Sequence, residues 1–219
     1  MFSHIGEILS ILFSFKVLIP VIIYGLFTFS LVFLSGIFLI KDKIGTGIFS
    51  LLISSFLQSV ALSLMVAWLT LVLFEIPENG LEFLISNIGS ILKASLIGFF
   101  FVVFLSLIPV VNAIMQNNII SEFIMGVIIF NAFLSNVKET YPILGFVQYP
   151  SILETIIIVI TWTIISFGIM ALIAVIVPFF VKDEEQFETV FPIVGMVSGS
   201  IITAFPLAAY IINVKLNSF

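Results

Sequence analysis

The chain has no cysteine and no arginine, a single histidine, His4, and two aspartates, Asp42 and Asp183. Each absence removes a class of chemistry. Without cysteine there is no disulfide, thiol nucleophile, iron–sulfur ligand or lipidated thiol. One histidine at the N-terminus excludes an intramembrane Ser–His pair and a histidine-built metal or haem site. The two aspartates fall in separate charged runs, which excludes a paired-aspartate intramembrane protease. The lack of arginine excludes an arginine-rich voltage sensor and bidentate recognition of phosphate. No G-x-x-x-x-G-K occurs, so no nucleotide is expected to bind through a P-loop. A net charge of −5 has the wrong sign for a nucleic-acid partner. The remaining Glu, Lys, Tyr and Ser residues are not grouped as acid–base or nucleophile–base pairs, so no enzymatic activity, cofactor or metal is expected.

Charge of either sign is scarce. Charged residues make up 9% of the 219 residues and hydrophobic residues 62%, with a mean hydropathy of +1.38. Soluble domains carry about 25% charged residues, so the composition reads as an integral membrane protein whose first partner is the lipid bilayer. Six runs come close to the roughly 20 apolar residues that cross a hydrocarbon core: 17–40, 48–74, 91–111, 119–137, 155–181 and 190–214. Backbone polar groups cannot stay unpaired in lipid, and the runs do not alternate as barrel strands do. They are therefore read as helices. The fold class expected is all-α, a single bundle over 17–219 with six spans, or five if 119–137 is re-entrant. That run is short and carries Glu122, Asn131 and Asn136.

Residues 1–16 place Ser3, Glu7, Ser10 and Ser14 on one helical stripe and apolar residues elsewhere, the pattern of a helix lying in the interface. His4 is a solvated residue of that segment. No basic leader or small-x-small cleavage site marks a signal peptide. With six spans, Lys16, Lys93, Lys138 and Lys215 share one side and Lys41, Lys43 and Lys182 the other. This near balance leans to cytoplasmic termini in a cytoplasmic (plasma or inner) membrane. Pro77–Gly80 reads as a turn followed by a short interfacial piece at 81–86. Tyr141 and Tyr149 read as interfacial anchors, and the acidic run 182–188 as a solvated turn.

Two stripes of small residues suggest close helix packing: Ser55, Ser59, Ser63 and Ala67 in the second span, and Gly195, Gly199 and Thr203 in the sixth. Pro206 removes a backbone hydrogen bond within the sixth span. It is a candidate hinge that frees the carbonyl near Ile202, with Thr203 placed to satisfy that carbonyl. Polar groups in hydrocarbon are costly, so each needs a reason. Glu122 follows the polar segment Asn112, Gln116, Asn117 and Asn118, and it shares a face with Asn118. It marks either a cation or proton site or a helix start at the membrane surface, where the macrodipole favours a carboxylate. Gln58 is expected to hydrogen-bond between helices, with Asn131 as its counterpart.

Two functions remain. The leading expectation is a non-catalytic membrane subunit or scaffold that packs against a membrane-protein partner or a second copy of itself. The alternative is a small transporter or channel in which Glu122, Asn118, Gln58 and Asn131 converge on a polar path.

Overall fold

The computed structural model describes residues 5–40, 44–109, 118–180 and 184–218. Asn112, Gln116, Asn117, His4, Ser3, Lys41, Asp42, Lys43, Lys182 and Asp183 lie outside them. Among the described residues there is helix and no strand: α1 (Ile5–Leu12), α2 (Phe15–Ile40), α3 (Ile44–Leu73), α4 (Gly80–Ser86), α5 (Ile88–Ser106), α6 (Asn118–Val137), α7 (Ile152–Phe180), α8 (Glu184–Ile202) and α9 (Phe205–Ser218). Six stretches are long and apolar enough to cross a bilayer, the last made of α8 and α9 together. The protein is an all-α polytopic membrane protein. The run 119–137 forms a full helix of 20 residues, about 30 Å at 1.5 Å per residue, rather than a re-entrant hairpin. The acidic run 182–188 is not a turn from residue 184 onward, because α8 begins at Glu184.

The helix ends follow from local chemistry. Ser151 and Glu154 form a reciprocal capping box at the start of α7: Ser151 N–H donates to Glu154 Oε2 at 2.8 Å, and Glu154 N–H donates to Ser151 Oγ at 3.3 Å. The Asn79 side chain accepts from Leu81 N–H and opens α4. At the end of α3, Glu75 takes φ 53°, and Ile76 N–H donates back to Leu71 O at 3.1 Å. That six-to-one bond closes the helix as glycine usually does. Inside the spans, hydroxyls return their protons to the preceding turn, as in Thr70 Oγ1 to Val66 O and Ser95 Oγ to Ile91 O, which keeps them satisfied in hydrocarbon.

α3 packs against α2, α5 and α6, and α9 inserts among α1, α3, α6 and α7. Every residue of α9 from Phe205 to Val214 is buried, as expected of a helix that is apolar all round. α1 lays Ile8 and Leu12 against α9 and exposes Glu7 and Ser10. In the second span, Ser59, Ser63 and Ala67 are buried and Ser55 is exposed. Ser59 Oγ reaches Ser95 O on α5 at 2.7 Å. The closest backbone approaches are elsewhere. A methyl group at Gly25 of α2 would stand 2.6 Å from the Cα of Ile201, and one at Gly126 of α6 would stand 2.2 Å from the Leu207 side chain. These crossings need glycine because no side chain fits between the helices.

Candidate functional site

Glu122 lies in the second turn of α6 and is 4% exposed, so it is not a surface residue at a helix start. Its Oε1 accepts from Gln58 Nε2 on α3 at 2.7 Å. The same Nε2 stands 3.5 Å from the hydroxyl oxygen of Tyr24 on α2, and that hydroxyl lies beside Thr28, one turn further along α2. Two atoms of this cluster are buried without a hydrogen-bond partner: Glu122 Oε2 and Thr28 Oγ1. Buried polar atoms without partners are rare because each forfeits its hydration for nothing. Glu122 Oε2 and Thr28 Oγ1 are thus oxygens free to engage a ligand.

A cavity of about 330 Å³ adjoins them. Its wall is made by Thr28, Phe29 and Val32 of α2, Gln58 of α3, Asn118, Ser121 and Glu122 of α6, Gly195, Met196, Gly199 and Ser200 of α8, and Thr203 just beyond it. Burial deepens from Asn118, which is exposed, to Thr28 and Glu122, which are not. Gln58, Asn118 and Glu122, three of the four residues that a polar path would need, therefore line one cavity. Asn131 does not join them. It lies about two and a half turns beyond Glu122, on the opposite face of α6. Its Nδ2 donates to Val127 O at 2.7 Å, and its side chain stands near Tyr210 of α9.

The G-x-x-x-G stripe also differs from its expected use. A methyl group at Gly195 would meet nothing within 4 Å, and one at Gly199 would only reach ordinary contact with Met170 at 3.8 Å. Here the small residues leave space, and the space is the cavity. The sixth span is interrupted just before Pro206. α8 ends at Ile202 and α9 begins at Phe205, with Thr203 and Ala204 in a turn between them. Pro206 lies one residue into α9 and is buried. The carbonyl of Ile202 is addressed by Ser166 Oγ of α7 at 3.5 Å, not by Thr203, whose Oγ1 donates to Ser200 O at 3.0 Å.

Three hydroxyls of the wall share one polarity. Thr203 donates to Ser200 O, Ser200 to Met196 O at 2.9 Å, and Ser121 to Asn118 O at 3.3 Å. A hydroxyl whose proton is committed to its own helix presents only lone pairs to the cavity. The C-terminal end of α8 adds the negative end of a helix dipole. The wall thus combines a carboxylate with oxygen acceptors, and no lysine among the described residues lines it. Lys93, near the start of α5, donates to Asn136 Oδ1 at 2.8 Å instead. Among the described residues no group of three acidic or histidine side chains could hold a metal ion by itself.

The sequence singled out Glu122, Gln58, Asn118 and Thr203 but not Tyr24 or Thr28, which complete the cluster. Their four-residue spacing on one face of α2 was the available signal. No protein-family model matches the chain, and no curated protein and no solved structure matches it.

Proposed function

We propose that the protein is a small, non-enzymatic membrane transporter whose solute or coupling ion enters the cavity beside Glu122. The observation that carries this reading is the buried, half-partnered carboxylate at an interrupted spanning helix. Transporters build their sites at such breaks, where helix ends and side-chain oxygens face a cavity inside the bilayer. A purely structural role gives no reason to keep a charge there, since an unpaired carboxylate inside a protein costs several kcal/mol, an order-of-magnitude figure. The cavity, at about 330 Å³, fits a small solute or a partly hydrated ion. The membrane assigned is the cytoplasmic (plasma or inner) one.

The test is flux across liposomes containing the purified protein. Glu122→Gln keeps the side chain's shape and removes its charge, and it is expected to abolish flux. A Glu122→Gln protein that transports as the wild type does would overturn the assignment of that carboxyl.

The subunit reading retains one observation. Gly168 and Ala171 form a small, exposed face on α7, and a methyl group at Gly168 would meet nothing within 4 Å. Such a face suits a partner helix or a second copy. Purification from the native membrane in mild detergent, followed by mass spectrometry, tests it: a stoichiometric companion protein supports the subunit reading.

A further inference from the structure

We infer that the cavity beside Glu122 binds one monovalent metal cation of the sodium class, held by Glu122 Oε2, Thr28 Oγ1 and the oxygens at the end of α8. This rests on the transporter reading for its purpose but not for its chemistry. An ionised carboxylate out of water needs a positive charge close by. No cation among the described residues supplies one: no lysine lines the cavity there. That charge is assigned to a bound metal ion.

The wall selects its kind. Among the described residues Glu122 is the only acidic side chain lining the cavity, so one formal charge is available there and a divalent ion would stay under-neutralised. The ligands are hard oxygens, which suit an alkali cation rather than a transition metal. Anions are disfavoured by the carboxylate, by hydroxyls whose protons are spent elsewhere and by the negative end of α8. Gln58 contributes by fixing geometry. Its amide engages Glu122 Oε1 at 2.7 Å and so leaves Oε2 as the open position.

The experiment is thermal unfolding of the intact protein in detergent, titrated with sodium chloride against choline chloride at equal ionic strength. A saturating, single-site rise in Tm with sodium is expected, because a ligand that binds only the folded state raises its stability. Glu122→Gln is expected to abolish the rise. Thr28→Val, which keeps shape and removes one oxygen, is expected to raise the half-saturating sodium concentration about tenfold, the cost of one lost polar contact. Thr28→Val keeps the test decisive if Glu122→Gln does not fold. Equal stabilisation by choline overturns the inference, as does stronger stabilisation by magnesium or calcium chloride. Stabilisation by acidification with no sodium effect overturns it too, because the neutralising ion is then a proton. Sodium binding without flux leaves this site standing and removes the transporter reading. Flux that needs no sodium does the reverse.

Discussion

Two clusters in this protein are built from the same three groups, a carboxylate, a carboxamide and a tyrosine. At the end of the bundle, Tyr141 donates to Glu78, whose two oxygens both stand 3.0 Å away, and it accepts from Asn87 Nδ2 at 3.1 Å. Within the spans, Gln58 donates to Glu122 and lies near Tyr24, and one carboxylate oxygen has no partner. The outer cluster is exposed at Glu78, so water solvates whatever the protein leaves over. The inner cluster has no such reserve. The same chemistry that ties a loop to the bundle at the surface leaves an unpartnered carboxylate oxygen in the interior, and the difference lies in solvent rather than in residue type.

The largest expected effect comes from unbalancing the inner cluster. Gln58→Leu removes the amide donor to Glu122 Oε1 and is expected to cost about 2–4 kcal/mol in sodium-free buffer, as for a buried charge stripped of its partner. Adding Glu122→Leu should restore most of that loss, because replacing both polar groups by apolar ones removes the penalty. Equilibrium unfolding of the two single variants and the double variant reads the coupling directly. Tyr141→Phe in the outer cluster is expected to cost about 1 kcal/mol or less. Equal costs for Gln58→Leu and Tyr141→Phe would show that the two clusters do not differ in the way argued.

A second contrast separates space used for packing from space kept open. Gly25→Ala forces a methyl group against the Ile201 backbone and is expected to destabilise by about 1–3 kcal/mol. Gly195→Ala meets nothing and is expected to change stability by no more than about 1 kcal/mol, in the stabilising direction that alanine gives in a helix. Gly195→Leu should then leave the fold intact while filling the cavity, and so weaken the sodium-dependent rise in Tm. Thermal unfolding with and without sodium distinguishes the three variants.

The sequence carried much of this, for reasons that can be named. Long apolar runs set the spans because no other structure satisfies a backbone in lipid. Glu122 and Gln58 were legible because polar groups there are costly. Asn131 was misplaced by ignoring helical phase, an error the sequence itself could have corrected. Gly195 and Gly199 were noticed for the wrong reason, since a small residue can admit a neighbour or keep it away, and only the position of the next helix decides which. Tyr24 and Thr28 were passed over because either residue is ordinary in a spanning helix until its neighbours are known.

The interruption of the sixth span offers a smaller effect. Ser166 Oγ donates to Trp162 O at 2.7 Å and also faces Ile202 O at 3.5 Å. Ser166→Ala should cost about 1 kcal/mol. If the break matters to the site, it should also shift sodium affinity, although Ser166 does not line the cavity.

The smallest effect belongs to the outer cluster and is one of pH. Partial burial, the largest cause, raises the Tyr141 phenol above its ordinary pKa. Donation from Asn87 opposes this, and the hydrogen bond and charge of Glu78 reinforce it. A raised pKa means the folded protein prefers the neutral phenol. The stability this contributes is therefore complete below about pH 10, the value for a free tyrosine, and is lost as pH rises through the higher folded value. Phenolate absorbance during alkaline titration, with Tyr141→Phe subtracted to assign the signal, should show ionisation above the ordinary value in the wild type. Glu78→Gln should move it back toward that value. Glu122→Gln should leave it unchanged, because the inner carboxylate is not among the groups that act on Tyr141. A Tyr141 titration that responded to Glu122 would mean the two clusters communicate through the bundle, and the contrast between them would have to be redrawn as one coupled network.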